Sequence, residues 1–517
     1  MSDSSSKIIT TFQDRLALDT AMKSLAQTTT AAEVRQRAAE IAAKFGDRAL
    51  PALLGHLNTT DPQMRGGLGM LAAMLDYEKT TTVLRAAARN RALDDQARLT
   101  AITILDRYLN IAPDEDMYHG MGAPEESALR SLREVLADRQ TDPLVLVEYF
   151  RQLELQPLDV QLTMARAARR LDASESVPML RMFAQAPTHL IAQESLQALS
   201  VLATPEAAGA LQSLIPTLRP DLRHMAERAF QKLRLRGVPV PPLQSPTPGF
   251  RCLASPPDSR GGQYLVFILP ASGETPSLVL RLAINPTDGL VEATASAVES
   301  PADLPDALAV GALHSSLLDL GHSLWLEAPY DYGRRRAQSC LAVSLEAARP
   351  LPFAYRYLNW ALWQWTPSTP RTVSLDVTPA GKPDLGGLLG YPALAGWYLN
   401  SPRVFEVADE LLADAEKVTP QRLERVVTQL LTAELAAGAL DLGAVKDGLA
   451  TLQEWLILAG RRDLALQAQV AAQTLSTAPE KNPLLRHMAN LGLRIAMITL
   501  ARGLQPTSST LPKKSNL

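Results

Sequence analysis

An apolar stripe with one spacing recurs seven times between residues 34 and 233 of this 517-residue chain. Its members stand at offsets 0, 4, 7, 8 and 11, with Arg139 and Ser195 as exceptions, and these offsets share one face of a 3.6-residue helix. Seven stripes at a period of 30 to 33 residues predict stacked helix pairs, each burying its apolar face against the next. The stripes begin at Val34, Met64, Ala97, Ala128, Val160, Ile191 and Leu222.

Aspartate and arginine follow a second pattern at the start of the helices that carry the stripes, which we call the stripe helices. The residues are Asp61-Pro62 with Arg65, Asp94 with Arg98, and Arg35 and Arg223 at the same register. With this pattern, residues 31–237 resemble the HEAT-repeat family of armadillo-like α-solenoids. The resemblance implies hydrogen bonds between Asp and Arg of successive helix pairs and a concave surface lined by the second helix of each pair. Three middle repeats depart from it and hold Leu129, Gln161 and Ala192 at the Arg register.

Prolines end the repeat region, and strands are predicted beyond it. Five prolines lie between Gly237 and Gly249, which predicts a semi-rigid extended linker over 238–249 after a solenoid domain over 1–237. The pattern then changes to short β-rich segments separated by turns, which predict a four-stranded antiparallel meander. The segments are Phe250–Ala254, Tyr264–Leu269, Ser277–Ile284 and Leu290–Ala297.

Helices are predicted again after the meander. One runs from Pro329 to about Ala348 and an aromatic one follows through Trp363, which completes an α+β module over 250–365. Residues 366–391 are rich in Pro, Gly and Thr and are predicted to be irregular. A helical C-terminal domain over 392–504 and a disordered tail over 505–517 complete a mostly α fold. Its predicted helices are 392–399, 402–417, 419–438, 442–460, 463–476 and 483–503.

Charge and cysteine content exclude several classes of protein. Residues 1–240 carry 28 Lys+Arg and 29 Asp+Glu, and the whole chain has a net charge of −3, so neither half has the basic excess that nucleic-acid binding needs. Two cysteines are too few for a disulfide framework. The N-terminus lacks a secretory signal pattern, and no apolar run approaches the ~18 residues of a membrane span. We therefore expect a cytoplasmic protein without a membrane span.

Signatures of catalysis and of metal or cofactor binding are weak. The phosphate-loop, dinucleotide, nucleophile-elbow and HExxH motifs are missing from the sequence. His314 and His322, with Asp319 between them, lack a third strong ligand, and the acidic run 114–116 is typical of a solvated loop. Cys340 is flanked by apolar residues, which favours a buried, inert thiol over a nucleophile. No catalytic residue, metal or cofactor is predicted.

A second candidate site lies in the 250–400 module. The arginines could clamp a phosphate or carboxylate, and the tryptophans could form an aromatic pocket. Solvated arginines pointing three ways around a helix, and core packing of the tryptophans, are the alternative interpretation. The residues are Arg334, Arg335, Arg336, Trp360 and Trp363.

The stripe helices carry unusual residues on the side opposite their stripes. Early repeats are small or apolar there and later ones are basic, whereas a solvated face would be richer in Lys and Glu. We expect this side to bind a partner protein with an apolar and an acidic end. The alternative is that the C-terminal half of the chain covers it. The candidate partner-binding residues are Met70, Leu99, Arg130, Arg166, Arg169 and Arg228.

The function that this sequence favours is therefore a non-enzymatic scaffold or adaptor that binds another protein through the concave face of a HEAT-like solenoid. One alternative is an enzyme or ligand-binding regulator with its site in the 250–400 module. Another is a HEAT-like bilin lyase or isomerase, which only the repeat supports.

Overall fold

The computed structural model describes residues 17–27, 31–59, 61–118, 124–139, 141–243, 248–273, 275–315, 324–365, 384–413 and 419–503. The protein is mostly helical (65%) and contains one small antiparallel sheet, which confirms the predicted combination of helices with a small β module. It divides into two compact units, Met1–Glu134 and Val135–Leu517.

The first unit is built from helices that bury their stripes in one core. Asp61, Asp76 and Asp94 each cap the N-terminus of the helix that follows, because their carboxylates accept hydrogen bonds from free backbone N–H groups of its first turn. The stripe residues Ile41, Leu68 and Ile104 are buried together. The helices are α1 (Ala31–Phe45), α2 (Leu50–Gly55), α3 (Pro62–Ala72), α4 (Tyr77–Arg89), α5 (Asp95–Leu109), α6 (Glu115–Tyr118) and α7 (Pro124–Asp138), which crosses the division between the units.

Arg98, one of the arginines in the Asp/Arg pattern, joins the ends of two neighbouring helices. Its side chain is buried and donates hydrogen bonds to the carbonyl oxygens of Ala88 (2.9 Å) and Met117 (2.9 Å), in the last turns of α4 and α6. Carbonyls in a last helical turn have no partner within their helix, and a cation is favourable there. The short helix α6 occupies part of the region that the sequence predicts to be a loop.

The second unit begins with six helices. Along the chain, the stripe helices of this unit alternate with helices that carry no stripe, which we call the intervening helices. The stripe helices α9, α11 and α13 pack side by side, and the intervening helices α10 and α12 pack on each other. Stripe residues Met164, Ile191 and Leu222 are buried. The helices are α8 (Val145–Leu153), α9 (Leu158–Ala168), α10 (Ala173–Ala184), α11 (His189–Leu202), α12 (Pro205–Leu214) and α13 (Pro220–Leu235).

The sheet has six antiparallel strands in the order β4-β3-β2-β1-β6-β5. The predicted meander is confirmed as β1 to β4, and two short strands extend it beyond β1. Sequence patterning missed them because β5 has two residues and the four residues of β6 are all buried, without alternation. The strands are β1 (Arg251–Ala254), β2 (Gln263–Leu269), β3 (Ser277–Asn285), β4 (Gly289–Val298), β5 (Leu313–His314) and β6 (Trp325–Ala328).

Helices cover one face of the sheet, and the loop that contains Leu304 packs on the other. Gly333, in the first turn of α14 (Tyr330–Glu346), lies against Cys252 and Phe267, and α15 (Phe353–Leu358) packs on β3 and β4. On the opposite face, Leu253 and Trp325 belong to an apolar cluster. The sheet therefore lies between two apolar layers.

The remaining helices close the second unit. After residue 400 the described helices follow the prediction, although the end of the helix predicted at 402–417 lies outside the described residues. The single aromatic helix predicted to run through Trp363 is instead two short helices, and a 3-10 turn replaces the helix predicted at 392–399. Trp397 there donates from Nε1 to the carbonyl oxygen of Pro257 (2.7 Å), and the backbone N–H of Leu399 donates to Met488 (2.9 Å). A helical turn also occurs within the segment predicted to be irregular. The elements are α16 (Trp360–Trp363), α17 (Gly386–Leu389), the 3-10 turn Pro392–Leu394, α18 (Pro402–Ala413), α19 (Pro420–Ala436), α20 (Leu442–Leu458), α21 (Arg462–Thr474) and α22 (Pro483–Ala501).

Candidate functional site

In the second unit, α15 and α16 pack on the intervening helices α8, α10 and α12. Arg181 of α10 donates a hydrogen bond to Oδ1 of Asn359 (2.7 Å). Tyr357 donates from its hydroxyl to the carbonyl oxygen of Pro143 (2.7 Å), just before α8. Burial lowers the pKa of Arg181 to about 10, which still leaves it charged at neutral pH. The C-terminal half thus covers the intervening helices with buried polar contacts.

The stripe helices of this unit carry exposed side chains. Arg166 of α9 makes a two-pronged ion pair with Glu194 of α11: Nε lies 3.0 Å from Oε2 and Nη2 lies 2.8 Å from Oε1. The hydrogen bond from Arg166, its charge and that of Arg169 lower the pKa of Glu194. Arg169 is exposed. Part of the predicted positive charge on this face is therefore already paired within the unit.

An open groove of about 1250 Å³ lies along α13 and includes the predicted residue Arg228. Its wall combines exposed cations with apolar groups, and Leu235 is 88% exposed. An aliphatic side chain left in water forgoes about 1.5–3 kcal/mol of burial free energy. Leu235 is the most exposed of the large apolar side chains in the described ranges. We call it the basic groove after its three cations, Arg228, Lys232 and Arg236. It is also lined by Ile215, Phe230 and Leu235, by the carboxylates of Asp221 and Glu227, and by His224 and Gln231.

The carboxylates of α13 pair with histidines, whereas its C-terminal cations form no ion pair with a described carboxylate, although Arg234 donates a hydrogen bond to Oε1 of Gln231 (3.5 Å). Asp221 lies 3.0 Å from Nδ1 of His189, and Glu227 lies 3.3 Å from Nδ1 of His224. Among the described residues, no carboxylate forms an ion pair with any of the four cations at the other end of the helix. These unpaired cations are Arg228, Lys232, Arg234 and Arg236. The groove therefore combines apolar groups with three cations that form no ion pair with a described carboxylate, while its two carboxylates, Asp221 and Glu227, face histidines.

The three early candidate residues lie in the first unit. Met70 is half-buried and packs against the core of that unit. Leu99 is half-buried and Arg130 is exposed. The later three belong to the second unit, where Arg166 is paired with Glu194 while Arg228 is unpaired and lines the groove.

The three arginines of the 250–400 module contact different partners, and all three are half-buried, whereas the alternative interpretation expects them to be solvated. The guanidinium of Arg334 lies 5.2 Å from the ring centroid of Trp363. Arg335 pairs with Glu454 at 2.6 Å. Arg336 donates to Oε1 of Gln263 (3.1 Å) and to the carbonyl oxygen of Gly261 (2.7 Å).

The two tryptophans of that candidate site are packing groups in this structure. Trp363 is buried and donates from Nε1 to the hydroxyl oxygen of Tyr355 (3.0 Å), while Trp360 is half-buried. Of the five residues, the structure brings Arg334 and Trp363 together, while Arg335 and Arg336 bind other partners.

The two cysteines and His314 are buried, and His314 is paired with a carboxylate. Burial, together with the charge of Glu327, raises the pKa of the Cys252 thiol, and burial raises that of Cys340. His314 donates from Nε2 to Oε2 of Glu327 (3.0 Å), while Asp319 and His322 lie outside the described residues. Within the described ranges, no three His, Cys, Asp or Glu side chains cluster closely enough to hold a metal ion. No helix in the described part of the chain has the length and apolar character that a membrane span requires.

Sequence reasoning missed a buried charge network at the centre of the sheet. Arg251 of β1 donates from Nε to Oε1 (2.9 Å) and from Nη2 to Oε2 (2.7 Å) of Glu327 on β6. Arg251 also donates to the carbonyl oxygens of Pro305 (2.5 Å) and Asp306 (2.8 Å). In the sequence, Arg251 and Glu327 each stand among apolar residues. This pattern does not identify the partner of either charge.

Comparisons of this chain with protein-family models, with curated proteins and with solved structures find no match. The class of protein must therefore be argued from the basic groove itself.

Proposed function

We propose that this protein is a non-enzymatic scaffold or adaptor whose second unit binds an acidic, apolar-faced segment of a partner protein in the basic groove. The observation that carries the proposal is the position of Leu235, 88% exposed, beside Lys232 and Arg236, for which no described carboxylate is a partner. An apolar side chain of a partner would bury Leu235, and flanking carboxylates would pair with the cations.

The stripe helix α9 supports this assignment less strongly than α13. Arg166 already forms an ion pair with Glu194, so a contact between Arg166 and a partner would add little binding free energy. Arg228 and the cations that follow it on α13 remain available. The proposal therefore places the centre of the interface on α13, with α9 and α11 at its rim.

The test uses the full-length chain and a fluorescent twenty-residue peptide with leucines at helical spacing and glutamates elsewhere. The double variant R228E/K232E should bind this peptide at least about tenfold more weakly, because two favourable charge contacts become repulsive. Raising the salt from 50 to 300 mM should weaken the wild type and leave the variant almost unaffected, since exposed charges are screened beyond about 10 Å.

A matched control reverses two exposed cations elsewhere in the same unit. R425E/K446E changes the net charge by the same amount and should bind like the wild type. Equal losses in both double variants would show that net charge alone attracts the peptide. Tighter binding of a single-stranded RNA of equal charge than of the peptide would also contradict the proposal.

A second candidate function rests on a separate cavity of about 610 Å³ between the sheet and the turn Pro392–Leu394. It is lined by Pro257, Tyr264 and Asn285, a mixture of apolar and hydrogen-bonding groups that suits a small ligand. A ligand-binding regulator would be favoured if fragment compounds raise the Tm of the wild type but not that of A395W, which places an indole at the cavity wall.

A further inference from the structure

Among the described strands, β4 forms one end of the sheet and pairs with β3 alone. It is ten residues long, and Val291, near its start, is 58% exposed. The opposite end of the sheet is β5, which has two residues. An edge strand presents a row of unpaired N–H and C=O groups to any other strand. The length of β4 makes it the edge at which another strand can pair.

Beyond its first residues, β4 lacks the usual devices that prevent such pairing. Proteins protect long edges with lysine, proline, bulges or inward-pointing charges. Between Val291 and Val298 the strand has one charged residue, Glu292, and no lysine or proline. The register irregularity lies at its start, opposite Ala283 and Ile284, which leaves 292–298 in regular pairing with β3. Thus about seven residues remain open on the outer side.

We propose that this edge pairs with β4 of a second copy of the chain, antiparallel and about a two-fold axis at Ala295. The axis stands perpendicular to the sheet and joins two six-stranded sheets into one. The sequence of the strand fits this register. Its cross-strand pairs are Ala295 with Ala295, Thr294 with Ser296, Ala293 with Ala297, Glu292 with Val298, and Val291 with Glu299.

Charge and shape both favour a second copy as the occupant. In this register neither Glu292 nor Glu299 faces another carboxylate, and Thr294 faces Ser296, a pair that can form a hydrogen bond. The centre consists of alanines, so no side chain obstructs the approach of the two strands. Ala293 and Ala295 lie on the helix-covered face and are half-buried.

This assembly goes beyond the proposed peptide binding, because it uses a different surface of the second unit. A dimer would carry two basic grooves and would bind a partner with repeated acidic segments more tightly than one groove can. The interface consists chiefly of one strand from each copy, so its population should rise with protein concentration.

The first test is the molar mass of the full chain by light scattering and sedimentation, over about 1 to 200 µM, a range that brackets a strand-only interface. We expect a monomer–dimer equilibrium. A295K places two ammonium groups opposite each other at the axis and should shift the equilibrium at least about tenfold toward monomer. V310K adds the same charge at an exposed site outside the strands and should dimerise like the wild type. A monomer at every concentration, or a dimer that A295K leaves intact, contradicts the proposal.

The second test checks the register, and it does not depend on whether A295K folds normally by itself. A mixture of A295K and A295E should restore dimers, because Lys and Glu then meet at the axis. A295C should form a disulfide-linked dimer on mild oxidation, since the chain's two native cysteines are buried. V291C should not, because its two copies stand about 27 Å apart in this register, eight residues along the strand. Equal cross-linking of both cysteine variants would contradict the axis at Ala295.

Discussion

Arg181 and Asn359 are joined by a hydrogen bond of 2.7 Å, and both side chains are buried. Asn359 in turn donates from Nδ2 to Oε1 of Gln185 (2.5 Å), and Gln185 donates from Nε2 to the carbonyl oxygen of Arg356 (3.1 Å). A buried guanidinium that loses its acceptor keeps the full cost of its desolvation. The junction between α10 and the 353–363 segment therefore depends on a set of polar groups that are stable only together.

We predict that N359L lowers the free energy of unfolding by about 2–4 kcal/mol, because it leaves the charge of Arg181 without this acceptor. The double variant R181M/N359L should cost less than the sum of R181M and N359L, by about 1 kcal/mol or more, since it removes both polar groups. Urea unfolding of the four proteins measures this coupling. Additive losses within about 0.3 kcal/mol would show that the two side chains act independently.

We predict an acid-dependent contribution from Glu327. Its burial alone would raise its pKa, but hydrogen bonds and charge from Arg251 and His314 lower the pKa below the ordinary value of 4.5. A lowered carboxyl pKa stabilises the fold above pH 4.5, and this contribution is lost as the pH falls through the lowered value. E327Q should therefore cost about 3 kcal/mol at pH 7, with a smaller difference from the wild type at pH 3.

The measurement is the unfolding free energy of both proteins at pH 7, 5.5, 4 and 3. The difference between wild type and E327Q should stay constant from pH 7 to 5.5 and shrink below about pH 4.5. A difference that grows toward acid pH would mean that Glu327 is destabilised by its surroundings. A matched control, E410Q on the exposed side of α18, should leave the unfolding free energy nearly unchanged.

We predict that Gly492 cannot carry a side chain. A Cβ atom there would lie 2.2 Å from the carbonyl oxygen of Leu399, a backbone atom fixed by the hydrogen bond from Leu399 to Met488. G492A should therefore lower the unfolding free energy by about 1–3 kcal/mol through overpacking. G396A, whose Cβ would meet nothing within 4 Å, serves as the control and should lie within about 0.5 kcal/mol of the wild type. Equal Tm values for the two variants would refute the close contact.

We predict that both thiols are inert in the folded protein. Cys252 and Cys340 are buried, and burial raises the pKa of each, so the reactive thiolate is scarce at pH 8. A chromogenic disulfide reagent should titrate none of the two thiols in native buffer and both in guanidinium chloride. Reaction of either thiol faster than the protein unfolds would show an open route to that cysteine.

Residues whose role depends on near neighbours in sequence were predicted well. The stripe residues Met64, Ile104 and Leu199 are buried as their helical spacing requires, and the strands β1 to β4 fall within two residues of their predicted bounds. Helix and strand periodicities act over a few residues, so the sequence carries them directly. The same spacing predicts an exposed position for Arg228, which is exposed, and for Met70 and Leu99, which are half-buried.

Contacts between distant parts of the chain could not be predicted in the same way. Arg181 meets Asn359 across 178 residues, and Arg251 meets Glu327 across 76. Nothing in the local pattern distinguishes such buried charges from solvated ones. The predicted helix at 392–399 is absent for a related reason: Trp397 and Leu399 satisfy tertiary hydrogen bonds that compete with helix formation.

The position of β1 in the middle of the sheet has a consequence for how the protein is made. Its second neighbour, β6, begins at Trp325, 71 residues after β1 ends at Ala254. At 5–20 residues per second, a ribosome needs roughly 4–14 s to synthesise the intervening stretch. During that interval β1 to β4 can assemble while one side of β1 waits without a hydrogen-bonding neighbour. Slower translation of 255–324 would prolong the exposure of that nascent side to other chains and lower the yield of correctly folded protein.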